Sequence, residues 1–264
     1  MKLPRGLLQL AARQRQRVSP DLLRTVIEVA SLLPTGHPCT VLPRVRRAVV
    51  IAPHPDDETL GCGGTIARLA TAGTQVTVAL VTDGAATVGA SGTRVATGQR
   101  RRAEAARACH HLGASVVTPL GFPDSAVDEH LEELSEALAG MLQVIGPDLV
   151  LLPWPLDAHR DHRAVAAALS KVPAQPGCDL WGYEVHTPIA RPDRVIDVTE
   201  VSAAVTAALA AHVTAAAAFD LTAVRGLARY RSLATTAGTG QAEAFVSLRW
   251  SELSAWVAAG EVSG

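Results

Sequence analysis

Between Ala52 and Glu58 the chain reads Ala-Pro-His-Pro-Asp-Asp-Glu, which sets His54 beside the carboxylates of Asp56, Asp57 and Glu58. About a hundred residues later comes a second dense cluster, Asp157-Ala158-His159-Arg160-Asp161-His162. Imidazole and carboxylate in this density are the donors of a zinc hydrolase, in which three protein ligands leave one position open for water. His54 and Asp57, at i and i+3 on a turn stiffened by Pro53 and Pro55, are candidate ligands. The third is His162: Asp161 is placed to cap the following helix, and His162 shares an apolar face with Val165 and Leu169. Asp56 and His159 are then left over. A carboxylate beside the ion can serve as general base. A histidine opposite it can stabilise an oxyanion or protonate a leaving amine, held in its charged form by Asp157 or Asp161. Ligands, base and acid in this set suit amide hydrolysis with one catalytic zinc.

Both clusters follow β-branched runs. Arg47–Ala52, Gln75–Thr82, Ser115–Leu120 and Asp148–Leu152 read as strands buried on both faces, separated by helices over Gly64–Thr71, Gln99–Leu112, Asp128–Ile145 and Asp161–Lys171. Repeated β-α-β units of this length give a mostly parallel, Rossmann-like α/β sheet flanked by helices. Ligands bind outside the carboxyl ends of such strands, where both clusters lie. Residues 1–44 read as a helical extension (Leu7–Arg17 and Pro20–Leu33), 45–175 as the core sheet, and 176–264 as a part covering the site, all in one domain over 1–264. Leu180–His186 and Arg194–Val198 are expected strands. Val201–Phe219 is expected as a helix apolar nearly all round, hence buried or at a subunit contact.

The chain has 264 residues, 48% of them hydrophobic, and a formal charge of -1, which offers no footprint for nucleic acid. No segment has the roughly 18 consecutive apolar residues of a membrane span. Four scattered cysteines without a C-x-x-C pair argue against a zinc ribbon or a disulfide scaffold and fit a reducing cytoplasm. Gly61-Cys62-Gly63-Gly64 lacks the third glycine of a nucleotide loop, and no G-x-S-x-G elbow is present. Glu58 is expected to brace its loop, and Asp83 to serve a turn. His110, His111, His130 and His212 read as surface or core residues, whereas His186, near a strand end, could reach the site.

The pattern A-x-H-P-D-D-E with glycines in the next helix, followed by H-x-D-H, resembles the LmbE-like (PIG-L) zinc-dependent N-deacetylase family. The resemblance extends to Thr82-Asp83-Gly84, Arg101 with Glu104, Gly121-Phe122-Pro123-Asp124, Tyr183-Glu184-Val185 and Ala242-Glu243-Ala244-Phe245, roughly residues 46–248. It implies an enzyme removing acyl groups, usually acetyl, from an amino sugar. His54, Asp57 and His162 would hold Zn2+, Asp56 would be the base and His159 the electrophile, with Arg101 and Asp124 near the sugar. Arg160 stands where many relatives have proline. The substrate expected from the resemblance is an N-acetylglucosamine-type unit on an antibiotic or other specialised-metabolite glycoside, with the glycine- and threonine-rich Thr82–Gly98 segment as a mobile rim. An amidase of a sugar-thiol conjugate and a sugar-binding relative without catalysis are the alternatives. The expected partner is a small-molecule N-acetylated glycoside, and a homo-oligomer stays open.

Overall fold

The computed structural model describes residues 38–87, 92–117, 119–218, 220 and 222–261. The expected N-terminal helices and part of the expected rim lie outside them. Among the described residues a seven-stranded sheet runs in the order β3-β2-β1-β4-β5-β7-β6. Its strands are β1 (Arg47–Ala52), β2 (Gln75–Leu80), β3 (Ser115–Val117), β4 (Leu149–Pro153), β5 (Asp179–Tyr183), β6 (Arg194–Asp197) and β7 (Ala242–Leu248). β3, β2, β1, β4 and β5 pair in parallel, while β7 runs antiparallel to both β5 and β6.

Strand alternation sorts the core onto two faces. Val49, Ile51, Val150 and Leu152 face α3 (Leu131–Ile145), α4 (Arg160–Leu169) and α8 (Leu253–Glu261). Ala48, Val50, Ala52, Leu149 and Leu151 face α1 (Asp57–Thr71), α2 (Arg94–Leu112) and α5 (Ser202–Ala211). Each large aliphatic side chain buried this way contributes ~1.5–3 kcal/mol. Two short helices, α6 (Val213–Ala218) and α7 (Thr222–Arg231), bring the chain to β7.

The chain leaves β1 for β2 on one side, and β4 flanks β1 on the other. The crevice at this switch point receives the loops after β1 and β4, so both chemical clusters converge there.

Several elements differ from the sequence expectation. α1 begins at Asp57 rather than Gly64, so the acidic motif is itself the first turn of the helix. Carboxylates there are favoured by the helix dipole, although the Asp56 side chain itself makes no capping bond. α2 starts at Arg94 under a Thr93 cap, which shortens the expected rim loop. His159, not Asp161, caps α4: its Nδ1 accepts the Asp161 N–H at 3.2 Å. The expected Val201–Phe219 helix breaks at His212 into α5 and α6. α5 is not buried all round either. It packs on α1 and α2, burying Ala208 and Leu209, and its small alanines tolerate partial exposure. α7, β7 and α8 went unassigned in the sequence because the alternation in Ala242–Leu248 is weak and both of its neighbours lie far away in the chain.

Candidate metal and catalytic site

Pro53 O accepts both the backbone N–H and the hydroxyl of Thr82, at 3.0 and 2.9 Å, which fixes the loop after β1. Asp56 then takes φ 145°, a strained conformation for a residue with a side chain, and turns the chain into α1. Glu58 accepts the Asp56 N–H at 3.0 Å and the Thr59 hydroxyl at 2.8 Å, the bracing role expected of it. Behind it sits buried His212, with Nε2 3.2 Å from the Glu58 carboxylate.

Asp57 Oδ2 lies 3.1 Å from His54 Nδ1 and 3.2 Å from His162 Nε2. Donor atoms ~2.0–2.1 Å from a tetrahedral zinc stand about 3.3–3.4 Å apart, so each of these two pairs has the spacing of two ligands on one ion. His162 is fully buried, and neither of its ring nitrogens has a hydrogen-bond partner. An unpartnered buried nitrogen facing a carboxylate is costly without a cation between them, so the residues fit a metal. His54 Nε2 is turned the other way, 3.0 Å from Asp161 Oδ2 and 3.4 Å from Asp124 Oδ1. Three donor triads whose ligand atoms lie close enough for one ion overlap here, His54–His159–His162, Asp57–His162–His186 and His54–Asp124–Asp161, and the expected set His54, Asp57 and His162 draws on all three without being one of them.

Asp161 does not hold the His159 ring, as the sequence had suggested. Its carboxylate accepts the N–H groups of Ser125 and Val127 and engages His54. Asp157 is likewise committed elsewhere, accepting from the backbone N–H of His159, His186 and Thr187. The N–H that His159 Nδ1 accepts leaves the proton of the neutral ring on Nε2. The His159 ring meets His54 edge-on at 4.7 Å and stacks with His186 at 5.3 Å.

Arg101 is buried, with one nitrogen 2.9 Å from Asp56 Oδ1. It also donates to Pro55 O at 2.7 Å and to Gly84 O at 3.1 Å. It lines the site, but these donors serve the protein. Asp124 also lines it, and its second oxygen accepts the Ala86 N–H at 2.7 Å. The cavity over these groups measures about 240 Å³ and is bounded by His54, Asp56, Asp57, Arg101, Asp124 and His159.

Burial lifts the Asp56 carboxyl to about 7 against the pull of Arg101. Burial also pushes Asp57 upward, but His162 and His54 outweigh it and hold the carboxyl well below its usual range. Burial presses His54 down, yet Asp124, Asp161 and Asp57 keep it well above the ordinary imidazole value. His159 is lowered to about 4 by burial and by the neighbouring histidines.

A family model described as PIG-L, GlcNAc-PI de-N-acetylase, matches residues 49–172, the stretch carrying both clusters. An uncharacterized deacetylase of Escherichia coli is 31% identical over 141 residues, 52% of this chain and 72% of that protein. The chain belongs to the PIG-L family. Other PIG-L relatives include a probable N-acetyl-alpha-D-glucosaminyl L-malate deacetylase of Bacillus cereus, 29% identical over 63% of this chain and 82% of that protein. The 2'-N-acetylparomamine deacetylase of Streptomyces fradiae is 28% identical over 60% of this chain and 64% of its own length. The relatives are named deacetylases, and with them the chain is an enzyme, an amide hydrolase.

Solved structures agree on the PIG-L fold. The N,N'-diacetylchitobiose deacetylase of Pyrococcus horikoshii superposes with TM-score 0.67 over 87% of this chain and 91% of that one, at 23% identity. The 4-carboxy-2-hydroxymuconate hydratase of Pseudomonas putida superposes with TM-score 0.63 over 77% of this chain and 96% of that one, at 22% identity. A hydratase on the same scaffold means that the reaction has to be argued from the side chains, not from the fold.

Proposed function

We propose that the protein is a zinc-dependent N-deacetylase acting on the acetamide of an N-acetylglucosamine-type unit, carried on an antibiotic or other specialised-metabolite glycoside. One observation carries the reading: Asp57 Oδ2 is within 3.2 Å of both His54 Nδ1 and His162 Nε2, and Asp56 and His159 line the same cavity as His54 and Asp57. His54, Asp57 and His162 would hold the ion, and Asp161 on the far nitrogen of His54 orients that ligand as outer carboxylates commonly do. When bound, the ion supplies Lewis-acid polarisation of the amide carbonyl and acidifies water.

Asp56 takes the proton of the attacking water, and Arg101 fixes the direction of its carboxylate. His159, with its proton on Nε2, donates to the developing oxyanion and toward the leaving nitrogen. The C–N bond breaks, the amine takes the proton that Asp56 drew from water, and acetic acid leaves and loses its remaining proton to solvent. Asp124, open to the same cavity, is placed to accept a sugar hydroxyl. The names of the relatives support an amino-sugar substrate, since the malate conjugate and paromamine both present an acetamide on a sugar.

The test is acetate release from a panel of N-acetylated glycosides, with and without chelator. Release that stops with chelator and returns with zinc is expected. No release from any acetamide at full metal loading would overturn the reading.

A further inference from the structure

A second cavity, of about 260 Å³, lies beside the polar one, and Leu60 and His186 line both. It is bounded by residues of α1, α5, α7 and β7, so most of its wall comes from beyond residue 172, where the family match ends. Val198, Val205, Leu209, Leu227 and Ala228 make that wall largely apolar.

The two carboxylates on the lining are already committed to the protein. Glu184 is paired through both oxygens with Arg231, at 2.9 and 2.7 Å, and accepts the Ile189 N–H at 2.7 Å. Glu243 accepts the N–H groups of Gly64 and Thr65 at 2.6 and 2.7 Å. No unspent carboxylate therefore awaits a cationic guest, and the cation on the lining, Arg225, is exposed. Apolar space sharing a wall with a polar reaction site accepts an apolar group attached to whatever reacts there.

We propose that this cavity binds an uncharged apolar group of the substrate, an alkyl or aryl moiety reaching past His186 while the sugar occupies the polar cavity. The placement of the sugar rests on the deacetylase reading. The apolar group can belong to the acyl chain or to the aglycone, and the two are separable by experiment.

N-alkanoyl glucosamines and alkyl glucosides of increasing chain length would be titrated calorimetrically into metal-loaded Asp56→Asn protein, in which binding is read without turnover. Affinity should climb roughly fourfold per methylene in one series until the cavity is full. That series names the side on which the group sits. Ala228→Phe and Ala223→Phe, added singly on the partly exposed helix α7, should flatten the climb at unchanged melting temperature while leaving the shortest member's affinity intact. Two flat series, or a climb that both variants leave unchanged, would overturn the proposal. Acyl release by wild-type protein is scored separately. Its absence would fail the deacetylase reading and leave the titrations to judge the cavity.

Discussion

Asp56 and Asp57 are neighbours in the chain, yet burial and partners push their carboxyls in opposite directions, one to about 7 and the other far down. Paired groups separated in this way divide the work of a site between a proton acceptor and a fixed anion. Asp56→Asn should therefore lower kcat roughly 10²–10⁴-fold while metal content stays near that of wild type. His162→Ala should instead empty the site, with metal analysis falling well below the single ion expected. An Asp56→Asn enzyme with near wild-type kcat at saturating metal would require another base. At this scale the sequence was informative about residue type and spacing: His54, Asp56, Asp57 and His159 line one cavity, and buried His162 reaches Asp57 at 3.2 Å. It was silent on pairing. Asp161 serves His54 from more than a hundred positions away, and nothing local distinguishes that from holding His159.

α1 is a helix in two parts. Cys62, at φ -152° and ψ 22°, interrupts it, and Glu243 from β7 caps the amides of Gly64 and Thr65 that the break sets free. The glycines around the break, set aside as a nucleotide loop, have a packing reason. A Cβ on Gly61 would come within 2.3 Å of the Tyr183 ring, and one on Gly64 within 2.4 Å of Val198. Burial raises the Glu243 carboxyl from 4.5 to about 7. The folded state thus holds this proton more tightly than the unfolded chain. Its stabilising contribution is full below about pH 4.5 and fades as pH rises through about 7. Part of the stability should be lost between pH 5 and 8 for this reason, and Glu243→Gln should reduce that loss. Parallel slopes of melting temperature against pH in the two proteins would refute the assignment.

Over the whole molecule, the sheet joins a parallel part that carries the chemistry to an antiparallel end built from β7 and β6. Tyr183 of β5 donates its hydroxyl to Ile51 O at 2.8 Å, and Phe245 of β7 packs on Trp181. β5 is thus enclosed between β4 and β7, which ties the C-terminal part to the core sheet. We expect residues 38–261 to fold as one unit. A chain cut after Pro192 would leave β5 as a bare apolar edge and should be aggregated or molten, as read by near-UV circular dichroism and sedimentation. A soluble, cooperatively melting truncation would show two domains instead.

The sequence by itself determined what depends on near neighbours. Alternating β-branched runs set β1, β2 and β4, and the polar clusters had to follow their carboxyl ends. The i and i+3 spacing singled out His54 and Asp57, which the fold sets 3.1 Å apart. Only the tertiary structure decided which distant groups meet: Arg101 with Asp56, Asp161 with His54, Glu243 with the break in α1, and β7 against both β5 and β6. The reason is physical. Local periodicity specifies which face of an element is apolar, but many partners can satisfy an apolar face. Choosing among them depends on shape, on close approach at glycines such as Gly61 and Gly64, and on every buried charge finding its counterpart.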